Sequence, residues 1–155
     1  MIKTHNMLLS DRLQSAAWSP APPYRCVLIT PPGRHEAIDN ADYLAAHLTD
    51  DIRTACIIHV DEGLLLFLSD AAGPRLVRME EGIRRITSAY GLYAGISPAF
   101  DDLLSFQANY HAAALVRSIA RQLRMEARVV RFESVVFPAL TASMSREQKK
   151  IFIKR

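Results

Sequence analysis

The chain has 155 residues, of which 50% are hydrophobic and 23% are charged, so its length and composition are those of one globular domain with its own core. The formal net charge is +3, but the last ten residues carry five positive charges and one negative charge, which leaves 14 positive and 15 negative charges elsewhere. This distribution excludes a surface-wide basic interface for nucleic acid, and no apolar run approaches the roughly 18 residues of a membrane span.

The N-terminal segment favours a short helix followed by a stiff linker. Leu8, Leu9 and Leu13 give residues 7–18 an apolar side, and the Ser19–Pro23 stretch contains three prolines that would end a helix. We assign residues 1–23 to this helix and its proline-rich linker. From the residues alone, the simplest role is a helix packed at the edge of a sheet.

The next segments predict strands around one helix. Tyr24–Thr30 is rich in apolar and β-branched residues, which favours a strand, and the Pro31–Gly33 run would end it. A helix is predicted over His35–Leu48. Two further strands are predicted over Thr54–Val60 and Leu64–Leu68.

The three residues between the last two strands predict a tight hairpin. Asp61 and Glu62 are typical turn residues, and Gly63 can adopt the positive φ that a short hairpin turn requires.

A second helix and strand follow in the middle of the chain. Apolar residues at steps of three or four predict an amphipathic helix over Arg75–Tyr90, ended by Gly91. The apolar run Leu92–Ile96 favours a buried strand. Asp101 and Asp102 then stand where a helix benefits from a cap and from negative charge.

The longest predicted helix follows these aspartates. Its expected apolar face consists of six residues at steps of three and four: Leu104, Ala108, Ala112, Leu115, Ile119 and Leu123. Arg117, Arg121 and Arg124 are expected largely on other faces. Arg128–Phe132 combines two arginines with Val129, Val130 and Phe132, which predicts a strand near a sheet edge.

The order strand, helix, strand, strand, helix, strand, helix, strand predicts an α+β fold. We expect a two-layer, ferredoxin-like architecture, with a mainly antiparallel sheet and helices packed on it. Residues 24–133 form this domain in our interpretation, and residues 134–155 form a basic helical tail.

Several short motifs of the second half occur together and in a fixed order. They are Gly95–Ser97, Phe106, Asn109–Tyr110, Ala113, Ile119–Arg121, Leu123 and Val130–Glu133. With these motifs the chain, from about Tyr24 to Glu133, resembles the central GGDEF-like domain of the bacterial purine-catabolism and sugar-diacid (PucR/CdaR) regulators. One departure is the pair Val116–Arg117, where that family usually has Ala-Leu.

The resemblance implies the fold of diguanylate cyclases without their chemistry. In the cyclases a metal-binding Asp ends the first strand, and a Gly-Gly-Asp/Glu-Glu-Phe hairpin binds metal and nucleotide. Here Thr30 ends the strand, and His59–Leu64 replaces the hairpin signature without its paired glycines. We therefore expect no catalytic residues, no metal and no cofactor.

The resemblance also implies a role and partners. We expect a non-catalytic regulatory and dimerisation module that also senses a small-molecule effector. It would form a homodimer, in which the N-terminal helix pairs with its copy. DNA would bind only through a helix-turn-helix domain that this sequence lacks. Two alternatives stay open, namely a small-molecule sensor acting alone and a cyclase-like enzyme using Asp61 and Glu62.

The candidate ligand or interface residues are two acids and three arginines. Asp61 and Glu62 either bind a ligand or simply form a turn. Arg117, Arg121 and Arg124 lie at steps of four and three, an arrangement that suits an anion but also a solvated helix end. No histidine or cysteine spacing typical of a metal site, and no nucleophile or phosphate-loop motif, occurs in the sequence.

Two features concern the cellular compartment. Cys26 and Cys56 both lie in apolar, strand-like runs, which favours buried reduced thiols over a disulfide. Residues 1–18 lack the continuous apolar core of a signal peptide. We therefore expect a cytoplasmic protein.

Overall fold

The computed structural model describes residues 21–33, 38, 41–51 and 55–135, and of these the side chains of 49–51 and 55 are not described. The helix predicted over residues 7–18 and nearly all of the predicted basic tail lie outside the described residues.

The described chain forms a five-stranded mixed sheet with helices packed on it. The elements are β1 (Arg25–Thr30), α1 (Ala41–Asp51), β2 (Ala55–Val60), β3 (Gly63–Leu68), α2 (Gly73–Tyr90), β4 (Tyr93–Ile96), a 3₁₀ turn (Leu103–Ser105), α3 (Phe106–Gln122) and β5 (Val129–Arg131). The strand order is β2-β3-β1-β4-β5, and every neighbouring pair is antiparallel except β4 and β5. The predicted α+β class and mainly antiparallel sheet are confirmed.

The first six elements make the predicted ferredoxin-like core. In this β-α-β-β-α-β unit the two helices, α1 and α2, pack on one face of the sheet. The helix α3 packs on the opposite face, and β5 extends the sheet beside β4 as the predicted edge strand. Arg131 of β5 also forms an ion pair with Glu80 of α2.

The central strands are apolar on both sides because helices cover both faces. Val27 and Ile29 of β1 lie in the core beneath α1 and α2. Cys26 and Leu28, which alternate with them, lie in the core beneath α3. The same alternation along β3 explains why Gly63–Leu68 is apolar at every position after the glycine.

The helix α1 begins later than predicted. Ile38 falls within the predicted span of 35–48 but is not helical, and the helix starts at Ala41. Ile38 packs as a partly buried residue against the core beneath α1 and α2. This tertiary contact accounts for an apolar residue that the periodic pattern had placed inside the helix.

The predicted apolar face of α3 is wrong. The buried residues are Phe106, Tyr110, Ala113, Val116, Arg117 and Ala120. Leu104 precedes the helix in the 3₁₀ turn and is 90% exposed, while Leu115 and Leu123 are 47% and 57% exposed. Apolar residues recur at helical spacing on both sides of this segment, so periodicity alone does not select a face.

Asp102 caps the 3₁₀ turn rather than α3 itself. Its Oδ1 accepts a hydrogen bond from the backbone N–H of Leu104 at 2.9 Å. The carboxylate therefore does take a capping role, as predicted, but one turn ahead of the helix.

The end of α2 supports a testable prediction. Gly91 follows the helix with φ 66° and ψ 34°, and its backbone N–H donates to the carbonyl of Thr87. Because a side chain is strained in this left-handed conformation, we expect Gly91→Ala to lower the free energy of unfolding by about 1 kcal/mol. Urea unfolding measures this change. Ser88→Ala, at an exposed position one turn earlier, is the matched control, and equal effects of both variants would contradict the explanation.

Among the described helices, none combines the length and apolarity needed to cross a membrane.

Candidate functional site

The predicted turn acids form the hairpin between β2 and β3. Val60 pairs with Gly63, so Asp61 and Glu62 are the two turn residues, and both are exposed. Gly63 has φ 157°, and a Cβ atom built there would lie 2.0 Å from the carbonyl oxygen of Ile29. The glycine therefore allows β1 to approach the start of β3 closely.

Glu62 is tied to α3. The hydroxyl of Tyr110 donates a hydrogen bond to Glu62 Oε2 at 2.5 Å. The pKa of Tyr110 is raised, first by burial, then by this hydrogen bond and by the charges of Glu62 and Asp61. Tyr110 is thus held as a proton donor, and it orients the Glu62 carboxylate towards α3.

A separate cavity of about 170 Å³ lies on the other side of the hairpin turn. Ile38, His59, Asp61 and Glu62 are among its lining residues. His59 Nε2 lies 3.4 Å from Asp42 Oδ1, with both side chains largely exposed. This cavity holds Asp61 but none of the three candidate arginines.

Arg117 is a core residue rather than part of a solvated face. It is only 6% exposed, and its Nε donates to the Thr30 Oγ1 atom at 2.8 Å. Two guanidinium groups contact the ring of Tyr93 in β4, with the Cζ atoms of Arg117 and Arg128 each 4.9 Å from the ring centroid.

The close packing of α3 on β4 makes room for this arrangement. A Cβ atom at Gly95 would lie 2.7 Å from the carbonyl oxygen of Ala113 and 3.0 Å from Arg117 Cγ. The missing side chain therefore lets α3 approach the sheet and lets the Arg117 side chain run along it towards Thr30.

The second predicted arginine joins the first in one cavity. This cavity measures about 90 Å³ and is lined by Leu28, Thr30, Gly33, Glu62, Ala114, Arg117, Ser118 and Arg121. The Nε atom of Arg121 is buried and has no hydrogen-bond partner among the described residues. We call this space, between β1, the hairpin turn and α3, the arginine cavity.

The electrostatics of the arginine cavity are set by the buried Arg117 and the partly buried Arg121. The pKa of Arg117 is lowered to about 10, first by burial and then by the charge of Arg121, and Tyr93 opposes this shift. Within the described part of the chain, neither Arg117 nor Arg121 forms an ion pair. Among the described lining residues, the two guanidinium groups therefore outnumber the one carboxylate, that of Glu62.

The structure brings together three of the five candidate residues. Glu62, Arg117 and Arg121 line the arginine cavity, whereas Asp61 lines only the other cavity, which Glu62 also borders. Arg124 lies in the turn after α3, with φ 52°, is exposed and lines neither cavity. The step of three from Arg121 to Arg124 does not bring Arg124 to the site because the helix ends at Gln122.

Sequence reasoning missed Thr30, Tyr93 and Tyr110 as functional neighbours. Thr30 shares its sheet face with Cys26 and Leu28, so strand alternation alone places it on one side of β1. Which helix covers that side cannot be inferred from the alternation. No comparable signal marks Tyr93, and Tyr110 stood out only as part of the family motif Asn109–Tyr110.

Across residues 21–33, 38, 41–51 and 55–135, no group of three or more His, Cys, Asp or Glu side chains is placed to hold a metal ion. Cys26 is buried, and burial raises the pKa of its thiol, so it is a packing residue and not a nucleophile.

Comparison with known proteins identifies the family. No curated protein and no solved structure gives a significant match to the chain. The family model described as GGDEF-like domain matches residues 4–119, which is most of the chain and includes β1, the hairpin and most of α3. This chain therefore belongs to the family of GGDEF-like domains.

Proposed function

We propose that this chain is a non-catalytic regulatory module of a bacterial transcription regulator of the PucR/CdaR type. It pairs two copies of the regulator and transmits the binding of a small effector. In such a regulator a separate helix-turn-helix domain binds DNA, and the protein works in the cytoplasm. Membership of the GGDEF-like family fits a regulatory or sensor module at this coarse level.

One observation carries the non-catalytic part of the proposal. The first strand of a diguanylate cyclase ends in a metal-binding Asp, and here β1 ends in Thr30, whose hydroxyl accepts from Arg117 Nε at 2.8 Å. A buried guanidinium at this position repels a divalent cation instead of holding it. Of the two hairpin acids, Asp61 lines only the 170 Å³ cavity, whereas Glu62 lines both cavities and accepts a hydrogen bond from Tyr110 on the α3 side.

The outer face of α3 supports the pairing role. Leu104, Leu115 and Leu123 are large apolar side chains that are 90%, 47% and 57% exposed, and they lie in the 3₁₀ turn, in α3 and directly after α3. Burial against a second copy would remove this apolar surface from water. We therefore place the subunit contact of the described region on α3.

The test measures the mass of the protein in solution together with its turnover of GTP. Light scattering of the purified chain, with and without GTP and magnesium, is expected to give a dimer that forms no nucleotide product. Leu115→Glu should convert the dimer to a monomer because it places a charge in the apolar contact. Val77→Glu is the matched control, since Val77 is 49% exposed on α2, and it should leave the dimer intact.

Two outcomes would contradict the proposal. A wild-type monomer would overturn the pairing role and favour a sensor that acts alone. Magnesium-dependent consumption of GTP that is lost in Glu62→Gln would overturn the non-catalytic role and restore the cyclase-like alternative with Asp61 and Glu62.

A further inference from the structure

We propose that the arginine cavity binds a small oxyanion, the carboxylate or phosphate group of a metabolite, between Arg117 and Arg121. This inference gives a ligand class to the sensing role and in that sense rests on the proposed function. Binding itself requires neither a dimer nor a particular target gene, so it is tested separately.

The first argument is the unbalanced charge of Arg117. The side chain is 6% exposed, and none of the described carboxylates comes within ion-pair distance of it. Its Nε bond to Thr30 and its contact with the Tyr93 ring are both made to neutral groups. A buried charge is normally paired, because leaving it unpaired is costly. The missing partner is an anion.

The second argument is the position of Arg121. It follows Arg117 by one helical turn, so both side chains project from the same side of α3 into one cavity. Its buried Nε atom has no acceptor among the described residues. Planar guanidinium groups bind carboxylate and phosphate oxygens through paired hydrogen bonds, and an oxyanion between them would supply the acceptor.

The third argument is size. The cavity of about 90 Å³ holds a carboxylate or phosphate group but is far smaller than the pockets of about 300–1,000 Å³ that enclose whole drug-sized ligands. Only the charged end of a metabolite therefore enters. Ser118 also lines the cavity and offers a hydroxyl donor at its wall.

Glu62 sets the selectivity. Tyr110 donates a hydrogen bond to the Glu62 carboxylate. Glu62 lines the arginine cavity but forms no ion pair with Arg117 or Arg121. A second negative charge on the ligand would be repelled here, whereas a hydroxyl or amino group would find an acceptor. The cavity thus favours a ligand with one acidic group and a neighbouring hydrogen-bond donor.

The experiment is a thermal-unfolding titration of the full chain at constant ionic strength. Sodium phosphate and sodium acetate are the two probes, and sodium chloride is the ionic control. We expect phosphate or acetate, but not chloride, to raise Tm along a saturating curve, as binding to the native state requires. A response to phosphate alone assigns a phosphate group, and a response to acetate alone assigns a carboxylate.

Variants of the cavity residues, with one control on α2, connect this response to the cavity. Arg121→Gln should weaken the apparent affinity at least tenfold, whereas Arg84→Gln, an exposed arginine on α2, should leave it unchanged. Glu62→Gln should strengthen binding severalfold because it removes the negative charge beside the anion. If Arg121→Gln does not fold, Ser118→Asp serves instead, since a carboxylate inside the cavity should raise Tm in chloride and abolish the response to both probes.

Two results would overturn the inference. One is a Tm that responds to phosphate and acetate no more than to chloride. The other is an equal response in the wild type and in Arg121→Gln. The mass in solution and the GTP turnover are measured independently of the anion titration. Failure of the anion site is therefore distinguishable from failure of the proposed function.

Discussion

Phe106→Ala is expected to lower the free energy of unfolding by about 3–5 kcal/mol, the largest effect we predict for a single side chain. Phe106 is 1% exposed at the first position of α3, and its ring centroid lies 5.9 Å from that of Phe67 in β3. Truncation would leave a cavity between the helix and the sheet. Urea unfolding monitored by circular dichroism measures the change.

Leu104→Ala is the matched control for this prediction. Leu104 is two residues away, but it is 90% exposed, so in the monomeric Leu115→Glu background its truncation should change the free energy of unfolding by less than about 0.5 kcal/mol. If Leu104→Ala proved as costly as Phe106→Ala in a monomeric sample, the assignment of the buried face of α3 would be wrong.

Gly63→Ala is expected to cost about 3 kcal/mol or more. The added Cβ would lie 2.0 Å from the carbonyl oxygen of Ile29, a backbone atom in the middle of the sheet that cannot move aside. Relieving this clash would require β1 and β3 to separate at the turn. The cost of the substitution therefore combines overpacking with backbone strain at φ 157°. Thermal or urea unfolding measures the loss.

Gly73→Ala distinguishes the steric clash from the backbone strain, the two causes of the loss predicted for Gly63→Ala. Gly73 also has a positive φ, 55°, but nothing lies within 4 Å of a Cβ built there. Its substitution should therefore cost only the conformational strain, about 1–2 kcal/mol. Similar losses at both glycines would mean that the close approach to Ile29 contributes nothing.

Much of the fold was predictable because the conformation that each local sequence pattern favours is also the conformation found in the packed structure. The apolar runs that became β1, β3 and β4 were predicted to within one or two residues, as were the hairpin at Asp61-Glu62-Gly63 and the end of α2 at Gly91. Each of these depends on a short-range property, such as β-branching or the freedom of glycine at positive φ.

The candidate site was predicted only in part. Glu62, Arg117 and Arg121 were among the proposed residues, but the sequence did not show that they share a cavity or that Arg117 is buried. Arginine side chains are usually solvated, and Arg124, in the turn after α3, is exposed, but Arg117 is buried. The difference arises because Gly95 lets α3 pack closely enough to enclose one arginine.

The sequence by itself determined the order and type of the elements, the tight hairpin and the membership of the GGDEF-like family. Those properties follow from local conformational preference and from motifs that are read along the chain. Only the tertiary structure decided which face of α3 is buried and that Thr30, Tyr93 and Arg117 meet. The physical reason is that α3 carries apolar residues on both sides, and the choice between them is made by packing Phe106 and Tyr110 against strands distant in sequence.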